Sequence, residues 1–155
     1  MTIKSTLTIT LMFTTLLSVP AMTQEKIIKR SDLPPAVEKT VAAQSQGATI
    51  KSFATEKKKG QVFYEAELTV NGRSKDVLMD ANGVIVEVEE QVAVKSLPAA
   101  VKNGLQTEAG KGKLLKVESL TKRERLVAYE ALVSTGGKRS EVQVGPDGKP
   151  LGHKE

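Results

Sequence analysis

The stretch GQVFYEAELTVNGRSKDVLMDANG occupies Gly60 to Gly83, and RLVAYEALVSTGGKRSEVQVGPDG occupies Arg125 to Gly148, an offset of 65 residues. Aligned without gaps from Val62 and Val127, seven of 22 positions are identical, and most are alternating apolar positions or turn glycines. Val62, Tyr64, Ala66, Leu68 and Val70 recur with a period of two, which places them on one face of a strand. Val127, Tyr129, Ala131 and Val133 repeat that face. Asn71-Gly72 is a two-residue hairpin signal, because both positions accept positive φ. The repeated phrase therefore reads as a hairpin written twice.

Working outward, the period lengthens upstream of each hairpin. Leu33, Val37 and Val41 recur four residues apart, as do Leu97, Val101 and Leu105, so each set forms a stripe along a helix. Pro34 and Pro35 suit a first helical turn, where a missing N–H costs little, and Gly47 supplies a stop. Gly104 interrupts the second helix and should weaken it by about 1 kcal/mol relative to alanine. Further strands are expected at Ile50 to Thr55, in DVLM, and at Val84 to Val92, and in the second half at Leu114 to Leu120, Leu126 to Ser134 and Ser140 to Val144. The expected fold class is α+β: two tandem helix-plus-antiparallel-meander units, 32–93 and 94–151, with the helices packed on one face of the sheet. The units would lie side by side or with their sheets joined, since one helix on three or four strands is a meagre core.

Residues 1–21 carry Lys4, an apolar run from Leu7 to Leu17 and small residues at Val19 and Ala21, the pattern of a secretory signal peptide cleaved after Ala21. Residues 22–31 read as a linker. No transmembrane segment is expected in the mature chain, and export to the periplasm or the extracellular space follows from the leader. Without cysteine the exported chain must hold itself together by apolar burial. The net charge of +5 mixes both signs, and four aromatics beyond the leader are too few for base stacking, so no nucleic-acid partner is expected. Lys57-Lys58-Lys59 reads as a solvated hairpin tip.

Chemistry-bearing constellations are sparse. His153 is the sole histidine and lies close to Glu155, where a chain end frays, so no nucleophile–base pair is expected. The chain reads as a non-enzyme, with no catalytic residue, no metal site and no cofactor. DANG at Asp80 to Gly83 resembles part of a calcium loop, but Leu78 stands where the first ligand belongs, and a hairpin turn accounts for it. Glu65 with Glu67, and Glu87 with Glu89, fall on the face opposite the valines and read as solvated sheet surface. Phe53, Phe63, Leu78 and Leu132 also have the parity opposite to the core stripe, and these four are the candidate partner-binding residues.

LPPAVEKTV, GATIKSF and VFYEAELTVNGRSKDVLMDANGVI together resemble the PepSY-like family, small exported domains related to the propeptide segment of thermolysin-type metallopeptidases. LPAAVKNGL and YEALVSTGGKRSEVQVGPDG resemble a second copy, and the pair spans the chain from about Asp32 to Leu151. The resemblance implies a tandem arrangement similar to that of the β-lactamase inhibitor proteins, and a role in binding or restraining an exported protein, a peptidase being the specific candidate. It brings no catalytic residue. The competing expectation is an envelope-associated structural protein that holds anionic polymer or lipid headgroups on basic tips at Lys57 to Lys59 and Lys122 to Arg125.

Overall fold

The computed structural model describes residues 25–155; the expected signal peptide, 1–21, lies outside the described residues. Strands β1 (Lys26–Ile28), β2 (Thr49–Lys58), β3 (Gln61–Val70), β4 (Arg73–Met79), β5 (Ile85–Gln91), β6 (Lys113–Lys122), β7 (Arg125–Thr135) and β8 (Lys138–Val144) pair in chain order. Every pairing is antiparallel. Helices α1 (Pro35–Gln44) and α2 (Ala99–Ala109) are short. Lys26–Ile28, expected to be linker, is the edge strand β1, paired with Phe53 to Thr55.

This corrects the expected α+β fold of two tandem helix-plus-meander units. The described residues are mostly β, one continuous eight-stranded antiparallel sheet carrying two short α-helices. The join is β5 against β6, from Glu87 opposite Lys122 to Gln91 opposite Glu118. An unpaired strand edge exposes a row of N–H and C=O groups, and pairing β5 with β6 removes two such edges from the middle of the molecule.

Both helices lie over the same side of the sheet. Under α1, the buried Leu33, Val37 and Val41 pack with Phe53, Ala66, Leu68, Val77 and Met79. Under α2, Val101 and Leu105 pack with Val117, Ala131, Val133 and Val144. Val37, Val101 and Leu105 have no exposed surface, and each such side chain contributes about 1.5–3 kcal/mol of burial. Gly104 is explained by this packing. A Cβ there would overlap the carbonyl oxygen of Gly148, in the turn after β8, so the helix accepts a poor helix former in order to approach the sheet. Among the described residues no helix covers the opposite face of the sheet.

Candidate functional site

A β-bulge decides which side chains reach the open face. Ile50 lies opposite Leu68, but Ser52 lies opposite Glu67 and Phe53 opposite Ala66, so Lys51 is an extra residue in β2. Past the bulge the parity of β2 is reversed. Phe53 therefore turns under α1, where it is 7% exposed, and it is not available to a partner as its parity had suggested. The same device recurs at Leu115, between Leu114 opposite Val133 and Lys116 opposite Leu132.

The other three expected residues do point to the open face. Leu78 lies between Glu65 and Glu87 of the neighbouring strands, yet it is 6% exposed and forms part of the floor. Phe63, opposite Glu56, and Leu132, between Lys116 and Glu141, are half-buried. The structure thus spreads the four candidates rather than gathering them: one in the core, one in the floor, and two toward opposite sides of the sheet.

What the open face does gather is carboxylate. Register places Glu67 opposite Asp76, Asp76 opposite Glu89, and Glu118 opposite Glu130, all on this side. Between them lie the buried Ala54, Leu78, Leu120 and Ala128. Acids interleaved with an apolar floor lose part of their hydration, which disfavours the ionised form. Burial, reinforced by the charge of Asp76 and further acids, pushes the Glu65 carboxyl up to about 7. Glu89 is likewise pushed up to about 7 by burial and then by Glu130, and Asp76 to about 6 by burial and then by Glu118. Burial also raises Glu130, against a hydrogen bond that Gln143 Nε2 donates at 2.7 Å.

Some of these acids are partnered. Glu118, 7% exposed, accepts from Ser74 Oγ at 3.0 Å and pairs with Lys116 Nζ at 2.8 Å. Ser52 Oγ donates to Glu67 at 2.6 Å. Asp76 Oδ1 is buried and accepts no hydrogen bond among the described residues. Asp76, Glu89 and Glu118 each bring a carboxylate oxygen within 4.8 Å of the others, so these are the side chains on this face that could approach a cation together.

The face is hollow. A groove of about 850 Å³ runs over it, lined by side chains from β2 through β8, among them Glu65, Asp76, Glu89 and Glu130. Nine carboxylates line it against three lysines, Lys58, Lys122 and Lys154. At one end of the sheet the two basic tips converge, with Lys58, Lys59, Lys122, Arg123 and Arg125 around an adjoining hollow of about 1160 Å³. Glu87 lies between these tips, 3.7 Å from Lys58 and 3.6 Å from Lys122. The chain's last residues fold back onto the face. Glu155 N donates to Gln143, and Lys154 Nζ lies 3.7 Å from Glu141. His153 is exposed, 3.6 Å from Glu155. Asp80 Oδ1 accepts from the backbone of Asn82 and Val84, closing the DANG turn on itself.

Sequence reasoning placed Glu65, Glu67, Glu87 and Glu89 on this face but missed Asp76, Glu118 and Glu130. Counting acids of open-face parity strand by strand would have found them, since Asp76 and Leu78 alternate as Glu65 and Glu67 do.

No protein-family model and no curated protein matches the chain. Solved structures do. A BLIP-like protein from Bacteroides fragilis is 26% identical, with a TM-score of 0.58, over 79% of this chain and 86% of that one. A candidate periplasmic protein from Bacteroides eggerthii is 20% identical, TM-score 0.62, over 77% and 86%. A DUF2874 family protein from Bacteroides ovatus is 17% identical, TM-score 0.59, over 77% and 84%. The latter two share the fold. Among the described residues no helix is long and apolar enough to cross a membrane.

Proposed function

We propose that the chain is an exported, non-enzymatic protein-binding module whose open sheet face is the binding surface, and that its partner is another exported protein, a peptidase being the specific candidate. The observation that carries this reading is the groove on the side of the sheet left free by both helices, floored by Leu78 between the acids, with Phe63 lining the adjoining hollow and Leu132 half-buried on the same face. A sheet that buries its helices on one side and keeps a hollow with apolar floor on the other has a surface suited to contact rather than to solvent. The leader pattern in 1–21 supports export, as does the likeness to a candidate periplasmic protein. Likeness to a BLIP-like protein is in keeping with the binding role that the sequence resemblance implies.

The test is site-specific photo-crosslinking in the native envelope. A benzophenone side chain at Phe63 or Leu132 should yield adducts with another protein, and one at Lys39 or Lys102, exposed on the two helices, should not. Adducts from the helix positions alone, or from neither pair, overturn the reading. The converging basic tips favour a second reading, retention of anionic polymer or headgroups, which rising ionic strength should abolish. Glu56, Glu87 and Glu155 already neutralise part of that charge, so the first reading is preferred.

A further inference from the structure

We infer that the groove takes a cationic segment, a loop or strand of the partner rich in Lys and Arg; this rests on the reading of the open face as the binding surface. Three observations converge. The chain as a whole carries +5, yet the groove is lined by nine carboxylates and three lysines, so the minority sign is concentrated on the face opposite α1 and α2. Helix-side acids are unlike these: Glu90, on the strand position next to Glu89 but on the other face, is exposed and pairs with Lys75 at 3.1 Å.

The second observation is an orphaned acceptor. Asp76 Oδ1, in the middle of the acid row, is buried and accepts no hydrogen bond among the described residues, a costly state that leaves this groove-lining carboxyl without internal compensation. A guanidinium or ammonium in the groove would offset the charge of both Asp76 and the adjacent Glu89, pairing with their groove-facing oxygens. Third, the chain already lays a cation of its own on this surface. Lys154 lines the groove, lies 3.7 Å from Glu141 and draws the Glu130 carboxyl down against the effect of burial. A second cationic segment would meet the same chemistry further along the groove. Burial of acids on a hollow face also makes each pairing stronger than a solvated one, because the floor lowers the local dielectric.

The experiment uses the mature protein and a short synthetic peptide alternating Lys and Thr, with the same peptide carrying Glu in place of Lys as the sign control. Binding is read by fluorescence anisotropy and by amide shifts along β3 to β6. The Lys peptide should bind and the Glu peptide should not. Asp76→Asn with Glu89→Gln should weaken binding about tenfold, whereas Glu90→Gln with Glu108→Gln, an equal change of net charge away from the groove, should not. Equal loss from both pairs, no loss from either, or binding of the Glu peptide overturns the inference. So does calcium alone shifting Asp76, Glu89 and Glu118 while the peptide shifts nothing. Competition separates the two levels. If crosslinks from Leu132 form and the Lys peptide fails to suppress them, the cationic occupant is wrong and the binding face stands; if no crosslinks form, the face itself is wrong.

Discussion

At the scale of single residues, one inserted amino acid separates the roles of Phe53 and Leu132. Both have the parity opposite to the apolar stripe in the sequence, but Lys51 bulges out of β2 and turns Phe53 under α1, while Leu132 stays on the open face. Phe53→Ser should therefore cost about 3–5 kcal/mol in urea unfolding, in the range of a large aromatic removed from a core. Leu132→Ser should cost less than about 1.5 kcal/mol, since its side chain is only half-buried. Equal costs would place both in the same environment. The core stripe of Val37, Val41, Val101 and Leu105 was legible because a helical period survives any local irregularity. Phe53 was not, because no Gly or Pro marks the bulge and a one-residue shift reverses every side chain beyond it. Gly104 shows the same limit from the other side. Helix propensity alone says that Gly104→Ala should stabilise by about 1 kcal/mol. The overlap with the Gly148 carbonyl reverses the sign, and a loss of about 1–3 kcal/mol is expected by thermal or urea unfolding. A gain in stability would show that α2 can move away from the turn at no cost.

At the scale of elements, the hairpins were largely readable and the sheet that joins them was not. Asn71-Gly72 and Gly136-Gly137 both sit at positive φ, as two-residue hairpin turns demand. The β6–β7 turn achieves the same geometry without glycine, with Arg123 at φ 48° and Glu124 at φ 64°. L-residues with ordinary side chains are disfavoured there, so Arg123→Asn with Glu124→Gly should stabilise the protein by about 1 kcal/mol, read as a higher urea midpoint with unchanged slope. A lower midpoint would mean that the two side chains make contacts worth more than the backbone strain. The pairing of β5 with β6 has no such local signature. The two strands are separated by α2 and its flanks, so their register follows from the meeting of two amphipathic faces and not from a turn. The expected pair of units failed at this junction, because strand edges compete for partners at any separation while sequence periodicity reports only on neighbours. The acid row was half legible for the same reason. Parity put Glu65 and Glu89 on one face, but only the cross-strand register brings Asp76 between their strands and Glu118 beside them on β6.

At the scale of the molecule, the open face makes stability and binding pull in opposite directions, and pH exposes the conflict. Glu65 faces Asp76, Glu25, Glu56 and Glu67; Glu89 faces Glu130, Glu87, Glu118 and Asp76. Around Asp76, Glu118, Glu67 and Glu25 outweigh the single opposing cation, Lys116. Like charges and burial act in the same direction at each of the three. Their carboxyls titrate near 6 to 7 when folded and near 4 when unfolded, so over that interval the folded chain holds protons that the unfolded chain has released. Stability must then fall as pH rises through the interval, being greatest below it and lost above it. The melting temperature should be several degrees higher near about pH 5 than near about pH 8. Glu65→Gln and Glu89→Gln, which mimic the protonated side chains, should raise it at the higher pH and leave it almost unchanged at the lower. The same substitutions should weaken a cationic ligand, and wild-type affinity for that ligand should increase with pH, because pairing with a cation ionises the carboxyls and releases their protons. A melting temperature that is flat or rises from acid to alkaline pH would mean that these acids are hydrated, and a face of hydrated acids would have no unmet demand for a cation.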